Sequence, residues 1–177
     1  MGWPEGGGGF YGGLIAGIAF SLWYLRRFGL PFWKVADIVG APTALGYSLM
    51  RVGCFLGGCC YGRPTSLPWG VQFPHLDEPV HPTQLYESGL NLVNFLILLA
   101  VLLKKKFDGQ VISLDILINC SIRFVVEYFR GDPGRGWVVQ GGSQYTSLTV
   151  PQWICLAGLL VGLILYGTLS KRKPAPA

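Results

Sequence analysis

Charge is what this chain has least of. Asp, Glu, Lys and Arg make up 13% of its 177 residues, against about 25% in an ordinary soluble domain, which excludes a molecule hydrated over its whole surface. Acidic residues are scarcer than basic ones, nine against 14. Histidine occurs only at positions 75 and 81, and no Cys-x2-Cys pair supplies the usual spacing of a zinc site. No cofactor motif is present, so the expectation is no cofactor and no metal. Clustered basic and aromatic patches are missing as well, so the net charge of +5 does not speak for nucleic acid. Met1–Phe10 lacks a basic n-region, and no small-residue cleavage site follows the first apolar run, so that run is read as its own insertion signal. There is no internal repeat, and Gly6–Gly9 is the one low-complexity tract. A single domain over residues 1–177 is expected.

What the chain has is hydrocarbon. It is 51% hydrophobic, with a mean hydropathy of +0.44. Five stretches approach the ~17–25 residues of a membrane span: Gly12–Leu25, which is short, Val35–Leu56, which is weakly apolar, Tyr86–Leu103, Val111–Phe129 and Val150–Leu169. Basic residues collect on the cytoplasmic side of such spans. Here Arg26, Arg27 and Lys34 lie between the first two, Lys104–Lys106 between the third and fourth, and Lys171–Lys173 after the fifth. These alternate connections carry one sign. They predict an all-α polytopic membrane protein of about five transmembrane helices, N-terminus outside and C-terminus cytoplasmic, with external loops at about 59–85 and 130–149.

Nine of the 14 basic residues are spent on that pattern, and the remaining five, Arg51, Arg63, Arg123, Arg130 and Arg135, are all arginine. A guanidinium binds phosphate or carboxylate through a planar fork and stays charged when partly buried. Ionisable groups inside a membrane are expensive and mark sites. Arg123, Glu127 and Arg130 are spaced i, i+4, i+7 and would share one face of a helix, with Glu127 held ionised between two arginines. Arg51 ends another span at the same depth. Two arginines from two helices would make an anion site for a lipid phosphate. The alternative is that they pair with Glu87, Asp115, Glu127 and Asp132 to tie helices together. Asp115, mid-span, suits a helix-to-helix hydrogen bond. Gly46, Gly53, Gly57, Gly58 and Gly62 allow close helix packing or backbone contact with a ligand. Trp69 and Phe73 suit the membrane interface. His81 could act as a base toward a thiol or fix its loop, and Tyr86 and Glu87 follow it into the membrane. Cys54, Cys59 and Cys60 face the outer side in a Cys-x4-Cys-Cys arrangement, where His75 and His81 could add metal ligands.

In order along the chain, Gly12–Ile15, the Arg51-Val-Gly-Cys-Phe run ending in Gly62-Arg63, His81-Pro-Thr-Gln-Leu-Tyr-Glu87 and Arg123-x3-Glu127-x2-Arg130 resemble the motifs of the prolipoprotein diacylglyceryl transferase family. Asp37 also fits. The resemblance runs from about Trp3 to Lys171. It implies transfer of a diacylglyceryl group from phosphatidylglycerol to the lipobox cysteine thiol carried by a prolipoprotein signal peptide, in a multi-pass protein of the bacterial cytoplasmic (inner) membrane. The family pattern marks Arg51 and Arg123 for the phosphate, Glu127 for orienting Arg123 and Gly62 for backbone room. His81 and Tyr11 complete the expected catalytic set. Arg63, Tyr86, Glu87 and Arg130 join Arg51 and Gly62 in the expected substrate-binding set. This chain has Tyr11 where the family has His, Cys54 where it has Asn and Cys59 where it commonly has Glu, and about two N-terminal helices of the family have no counterpart. Two other readings are a non-catalytic membrane protein that binds phospholipid headgroups, and a thiol-redox or metal-binding protein built on the cysteines and histidines.

Overall fold

The computed structural model describes residues 8–131 and 148–172, with side chains from Ala16 onward. Within these residues the chain forms α1 (Gly8–Arg27), α2 (Phe32–Leu56), α3 (Thr83–Leu103), α4 (Gln110–Val126) and α5 (Val150–Leu169), and a 3-10 turn at Glu127–Phe129 continues α4. No strand is present among the described residues; three isolated bridges, Gly62 with Arg130 and both Pro64 and Val71 with Val80, tie the loop between α2 and α3. Of the five spans expected, Val150–Leu169 coincides with α5, and α2 and α3 each begin three residues early, at Phe32 and Thr83. Among the described helices, α3 and α5 are long and apolar enough by themselves to cross a membrane.

Helix ends follow local chemistry. Pro31 precedes α2 in extended backbone, and Pro42 is carried inside that helix while Thr43 Oγ1 returns a 2.8 Å bond to Val39 O one turn back. α5 starts on a capping box in which Thr149 and Gln152 satisfy each other's backbone N–H groups. α4 has no cap of its own. Its N-cap residue is Gly109 at φ 93°, and the missing acceptor comes from α2. Asp37, fully buried, accepts from the backbone N–H of Gly109 at 2.8 Å, Val111 at 2.9 Å and Ile112 at 3.1 Å. Lys105 Nζ adds an ion pair to Asp37 at 3.0 Å and another to Asp108. Burial pulls the Lys105 ammonium toward neutrality, and its bonds to Asp108 and Asp37 outweigh that, so its pKa lies above the usual lysine range. A carboxylate at a helix N-terminus is favoured by orphan N–H groups and macrodipole together.

The four helices α2–α5 pack with a polar interior and an apolar exterior. Among the described residues 13 polar or charged side chains are buried against nine hydrophobic ones, while Leu49, Leu96, Leu160, Leu163 and many like them stand exposed. In water such an exterior would be far larger than the patches soluble proteins tolerate; in lipid it is the expected face. The apolar core is small, built on Ala41, Ala44, Leu98 and Val111. Asn94 Nδ2 donates to Asp115 Oδ1 at 2.9 Å and Asn119 Nδ2 to Asn91 Oδ1 at 3.1 Å, stitching α3 to α4, so Asp115 does make a helix-to-helix bond. On the other side of α4, a β-carbon at Gly158 would fall 2.5 Å from Cys120 Sγ and one at Gly162 would fall 2.9 Å from Leu117. This small-xxx-small spacing lets α5 lie directly on α4.

Asp37→Ala strands three backbone donors and a lysine, and breaking a buried charged set of this kind costs about 3–5 kcal/mol. The expected result is a marked fall in the unfolding midpoint of the purified protein in detergent, with a smaller fall for Asp37→Asn, which keeps an acceptor oxygen. An unchanged midpoint for both would show that α4 does not depend on this cap.

Candidate active site

At the end of the bundle opposite Asp37, the end of α2, the start of α3, the end of α4 and the start of α5 converge. Arg51 comes from α2, Glu87 from the second turn of α3, Arg123 from the last turn of α4 and Glu127 from the 3-10 turn after it. A carboxylate near a helix start and a guanidinium near a helix end each complement the local dipole. Glu87 is the hub. One of its oxygens, Oε2, pairs with Arg51 Nε, and the other, Oε1, accepts from Arg123 Nη1 at 2.9 Å. Arg123 Nη2 pairs in turn with Glu127 Oε2 at 2.9 Å, and Glu127 Oε1 accepts from Thr149 Oγ1 at 3.2 Å. Beyond Arg51, its Nη2 donates to Tyr47 Oη at 2.6 Å, with the guanidinium carbon 5.0 Å from that ring's centroid. One polar chain thus runs Tyr47–Arg51–Glu87–Arg123–Glu127–Thr149 across four helices.

The charges of the four ionised groups cancel, and their burial is unequal. The side chain of Glu87 is 3% exposed and that of Arg123 is 19%, so Arg123 is the member of the cluster with most access from outside. Pairing with carboxylates, the bland alternative for these arginines, is what the geometry shows for Arg51 and Arg123. Such pairing also fixes the guanidinium planes, which is what recognition of a phosphate requires.

The loop over this cluster positions the other expected residues. His81 Nδ1 lies 3.2 Å from Tyr86 Oη, which also accepts from Trp69 Nε1 at 2.9 Å, and the His81, Tyr86 and Phe129 rings pack edge to face. Gly62 donates its N–H to His81 O, and Arg63 N donates to Phe129 O, each at 2.9 Å. A β-carbon on Gly62 would sit 2.5 Å from His81 Cβ and 2.8 Å from Phe129 O, so the space at Gly62 is occupied by neighbouring backbone. Arg63 Nε donates to Arg130 O at 3.3 Å.

Two expectations need correcting. Arg130 is not a third rung on the helical face of Arg123 and Glu127: the helix tightens after Val126, and Arg130 is in extended backbone at φ −71°, ψ 142°, drawn into its bridge with Gly62. Phe73 does not face outward but is buried, against Phe55, Tyr61 and His75. The Sγ atoms of Cys54, Cys59 and Cys60 all lie within 4.8 Å of one another. Although the Cys59 side chain reaches the surface, partial burial first, and Cys60 and Cys54 next, push its thiol up to about 11. The side chain of Tyr11, together with Asp132 and Arg135, lies outside the described residues.

Sequence reasoning missed Tyr47, Thr149 and Gln152. Tyr47 precedes Arg51 by one helical turn, and Thr149-x-x-Gln152 ahead of an apolar run is a capping-box signature, so both signals were present.

The model of the prolipoprotein diacylglyceryl transferase family matches residues 2–168. The chain belongs to this family. Among curated members it is 35% identical over 172 residues to the phosphatidylglycerol–prolipoprotein diacylglyceryl transferase of Bordetella avium, covering 96% of this chain and 63% of that protein. The enzymes of the same name from Clostridium tetani and Legionella pneumophila (strain Corby) are 35% and 37% identical, over 94% and 92% of this chain. The chain spans 67% and 62% of those two relatives' lengths. Within the family frame, the polar chain centred on Glu87 is the arrangement that needs explaining.

Two results are expected from this geometry. Glu87→Ala leaves two guanidiniums facing each other without their shared carboxylate and should cost about 3–5 kcal/mol in unfolding measurements. In a double-mutant cycle with Arg51→Met the two positions should couple by at least about 0.5 kcal/mol; additive effects would mean that the pair does not form. Gly62→Ala forces His81 and Phe129 apart and should open the loop, seen as new proteolytic cleavage between residues 57 and 82, whereas an uncut loop would refute the close approach.

Proposed function

We propose that this chain transfers a diacylglyceryl group from phosphatidylglycerol to the lipobox cysteine thiol of a prolipoprotein, within the bacterial cytoplasmic (inner) membrane, which it crosses several times. Family membership supports the reaction class, and one observation carries the site: Arg123, the most accessible member of a buried charge cluster, is held on both sides by Glu87 and Glu127. The basic residues at the bundle's other end follow the positive-inside pattern. They would put the N-terminus and the arginine cluster on the external side, where a translocating preprotein presents its cysteine.

In the step proposed, the lipobox sulfur attacks the glyceryl carbon that bears the phosphate. A carbon–sulfur bond forms, the carbon–oxygen bond breaks, and the electron pair leaves on the phosphate oxygen as glycerol phosphate. The nucleophile is a thiolate, so its proton must first be taken up, and His81, its ring set by Tyr86, is the proposed acceptor. One unit of negative charge then moves from sulfur to the phosphate. Arg123 and Arg51 are the donors placed to receive it, and preorganised donors aimed at developing charge are commonly the largest single contribution to such a barrier reduction. Glu127 and Glu87 orient those donors. Tyr11, Gly62, Arg63, Tyr86 and Arg130 complete the proposed surroundings of the headgroup and its loop.

A second reading, a headgroup-binding protein without catalysis, is favoured by one observation: two carboxylates already pair with the guanidiniums of Arg51 and Arg123, so the charge of these two residues is matched before any phosphate arrives.

The purified chain in liposomes of phosphatidylglycerol, given a lipobox peptide, decides between them by mass spectrometry of the cysteine. Diacylglyceryl addition is expected, with a loss of about 10²–10³-fold in rate for Arg123→Ala. Addition that survives Arg123→Ala undiminished would remove Arg123 from the mechanism. Phosphatidylglycerol binding with no addition would establish the second reading.

A further inference from the structure

Where α2 ends, the chain makes a turn that no catalytic assignment uses. Gly57 N–H still bonds back to Gly53 O, but Gly58 is left-handed at φ 66° and Cys60 is left-handed at φ 61°. Among the described residues Cys60 is the one non-glycine residue with positive φ. A side chain is disfavoured there, and such outliers cluster at ligand clamps and functional turns. The effect of the turn is to fold Cys59 back over the helix end, its N–H on Cys54 O at 3.1 Å, and to bring Cys60 onto the same side. Three sulfurs that straight sequence spacing would scatter are gathered within 4.8 Å of one another.

The turn is also fixed from outside. Gln84 Nε2 donates to Cys59 O at 2.7 Å and Thr83 Oγ1 to Cys60 O at 3.0 Å, and both side chains are 1% exposed at the start of α3. On the far side, a β-carbon at Gly58 would come within 2.9 Å of the His75 ring. The thiols therefore sit on a clamped backbone with Cys59 open to the surroundings and Cys54 and Cys60 half-buried. Cys120 and Cys155, by contrast, lie on α4 and α5 and take no part in this cluster.

We propose that Cys54, Cys59 and Cys60 form a three-thiolate site for a thiophilic closed-shell cation, Zn2+ or Cu+. Metal–sulfur bonds of about 2.3 Å place sulfurs about 3.8 Å apart in a tetrahedral arrangement, so the cluster as built needs to close by about 1 Å at most. Sulfur-only donors select soft ions over Mg2+ and Ca2+. Three ligands satisfy Cu+ in a trigonal arrangement, and Zn2+ would complete its fourth position with water. Binding displaces thiol protons to solvent and involves no change of oxidation state. Two of the three ligands, Cys54 and Cys59, stand where the family resemblance has Asn and Glu, so two of the three departures from the family pattern fall on this turn. Arg51 lies one turn before Cys54 on α2, and a metal at the turn would stiffen the helix end that carries it.

The test uses the full chain in detergent, reduced and stripped of metal under anaerobic conditions, and titrated separately with Zn2+ and with Cu+ against a colorimetric chelator of each. One equivalent of either ion is expected, and which arm shows it identifies the ion. Cys59→Ser and Cys60→Ser should each weaken binding at least tenfold, while Cys120→Ser and Cys155→Ser leave it unchanged. Folding of the variants is kept out of the result by a measurement on the unsubstituted chain: Co2+ loading should give an intense sulfur-to-metal charge-transfer absorption. No binding in either arm, no such absorption, or equal loss in the Cys120 and Cys155 variants would overturn the site. So would a reduced chain that binds nothing while the protein as purified carries a Cys54–Cys59 disulfide.

Discussion

One carboxylate decides this structure. Glu87 is buried among three helices with a guanidinium on each oxygen, and in a medium of low dielectric none of the three groups could be left unpaired without a penalty of several kcal/mol. Satisfying it requires the end of α2, the start of α3 and the end of α4 to meet at one point. Glu127 then extends the requirement to α5 through Thr149. The helices cannot slide past one another while this chain of pairs is intact, so the interaction that closes the bundle is also the one that fixes the angles of the two arginines. Pairing with carboxylates and a fixed guanidinium plane are thus two results of one arrangement.

The helices were legible because lipid imposes a simple code. Apolar runs marked the helix positions, and for α5 the run and the helix share both ends. The Arg123–Glu127 pair followed from i, i+4 spacing, and the bond of Asp115 from the cost of a lone acid in mid-span. What could not be read was set by tertiary contact or by departure from helical geometry. Glu87 was visible as an expensive acid, but its two partners belong to other helices, and no spacing rule reports that. Arg130 was misplaced because the helix tightens just before it and the chain turns to pair with Gly62. Phe73 was assigned to the interface on residue type alone, whereas its burial comes from ring contacts with Phe55 at the end of α2 and with Tyr61 and His75 in the loop. The cysteines were judged by ligand spacings that assume regular backbone, and two left-handed residues undo that assumption.

The polar interior follows from the same solvent. With exterior surfaces satisfied by hydrocarbon, there is little to gain from burying more of it, and helix association rests on hydrogen bonds and close packing. Asn91, Asn94, Asp115 and Asn119 provide the first between α3 and α4, and Gly158 and Gly162 permit the second between α4 and α5. Polar groups that a soluble protein would display on its surface are stored here between the helices.

The cap on α4 has a consequence for how such a bundle is assembled. The acceptor for its first-turn donors is Asp37, which precedes Gly109 by 72 residues. Synthesis runs from the N-terminus, so α2 and its carboxylate are made before those donors leave the ribosome. An uncapped helix start would otherwise leave its first-turn N–H groups without intrahelical acceptors. The earlier helix therefore acts as a docking post for the later one, and the order of the genetic message coincides with the order in which the polar groups can be satisfied.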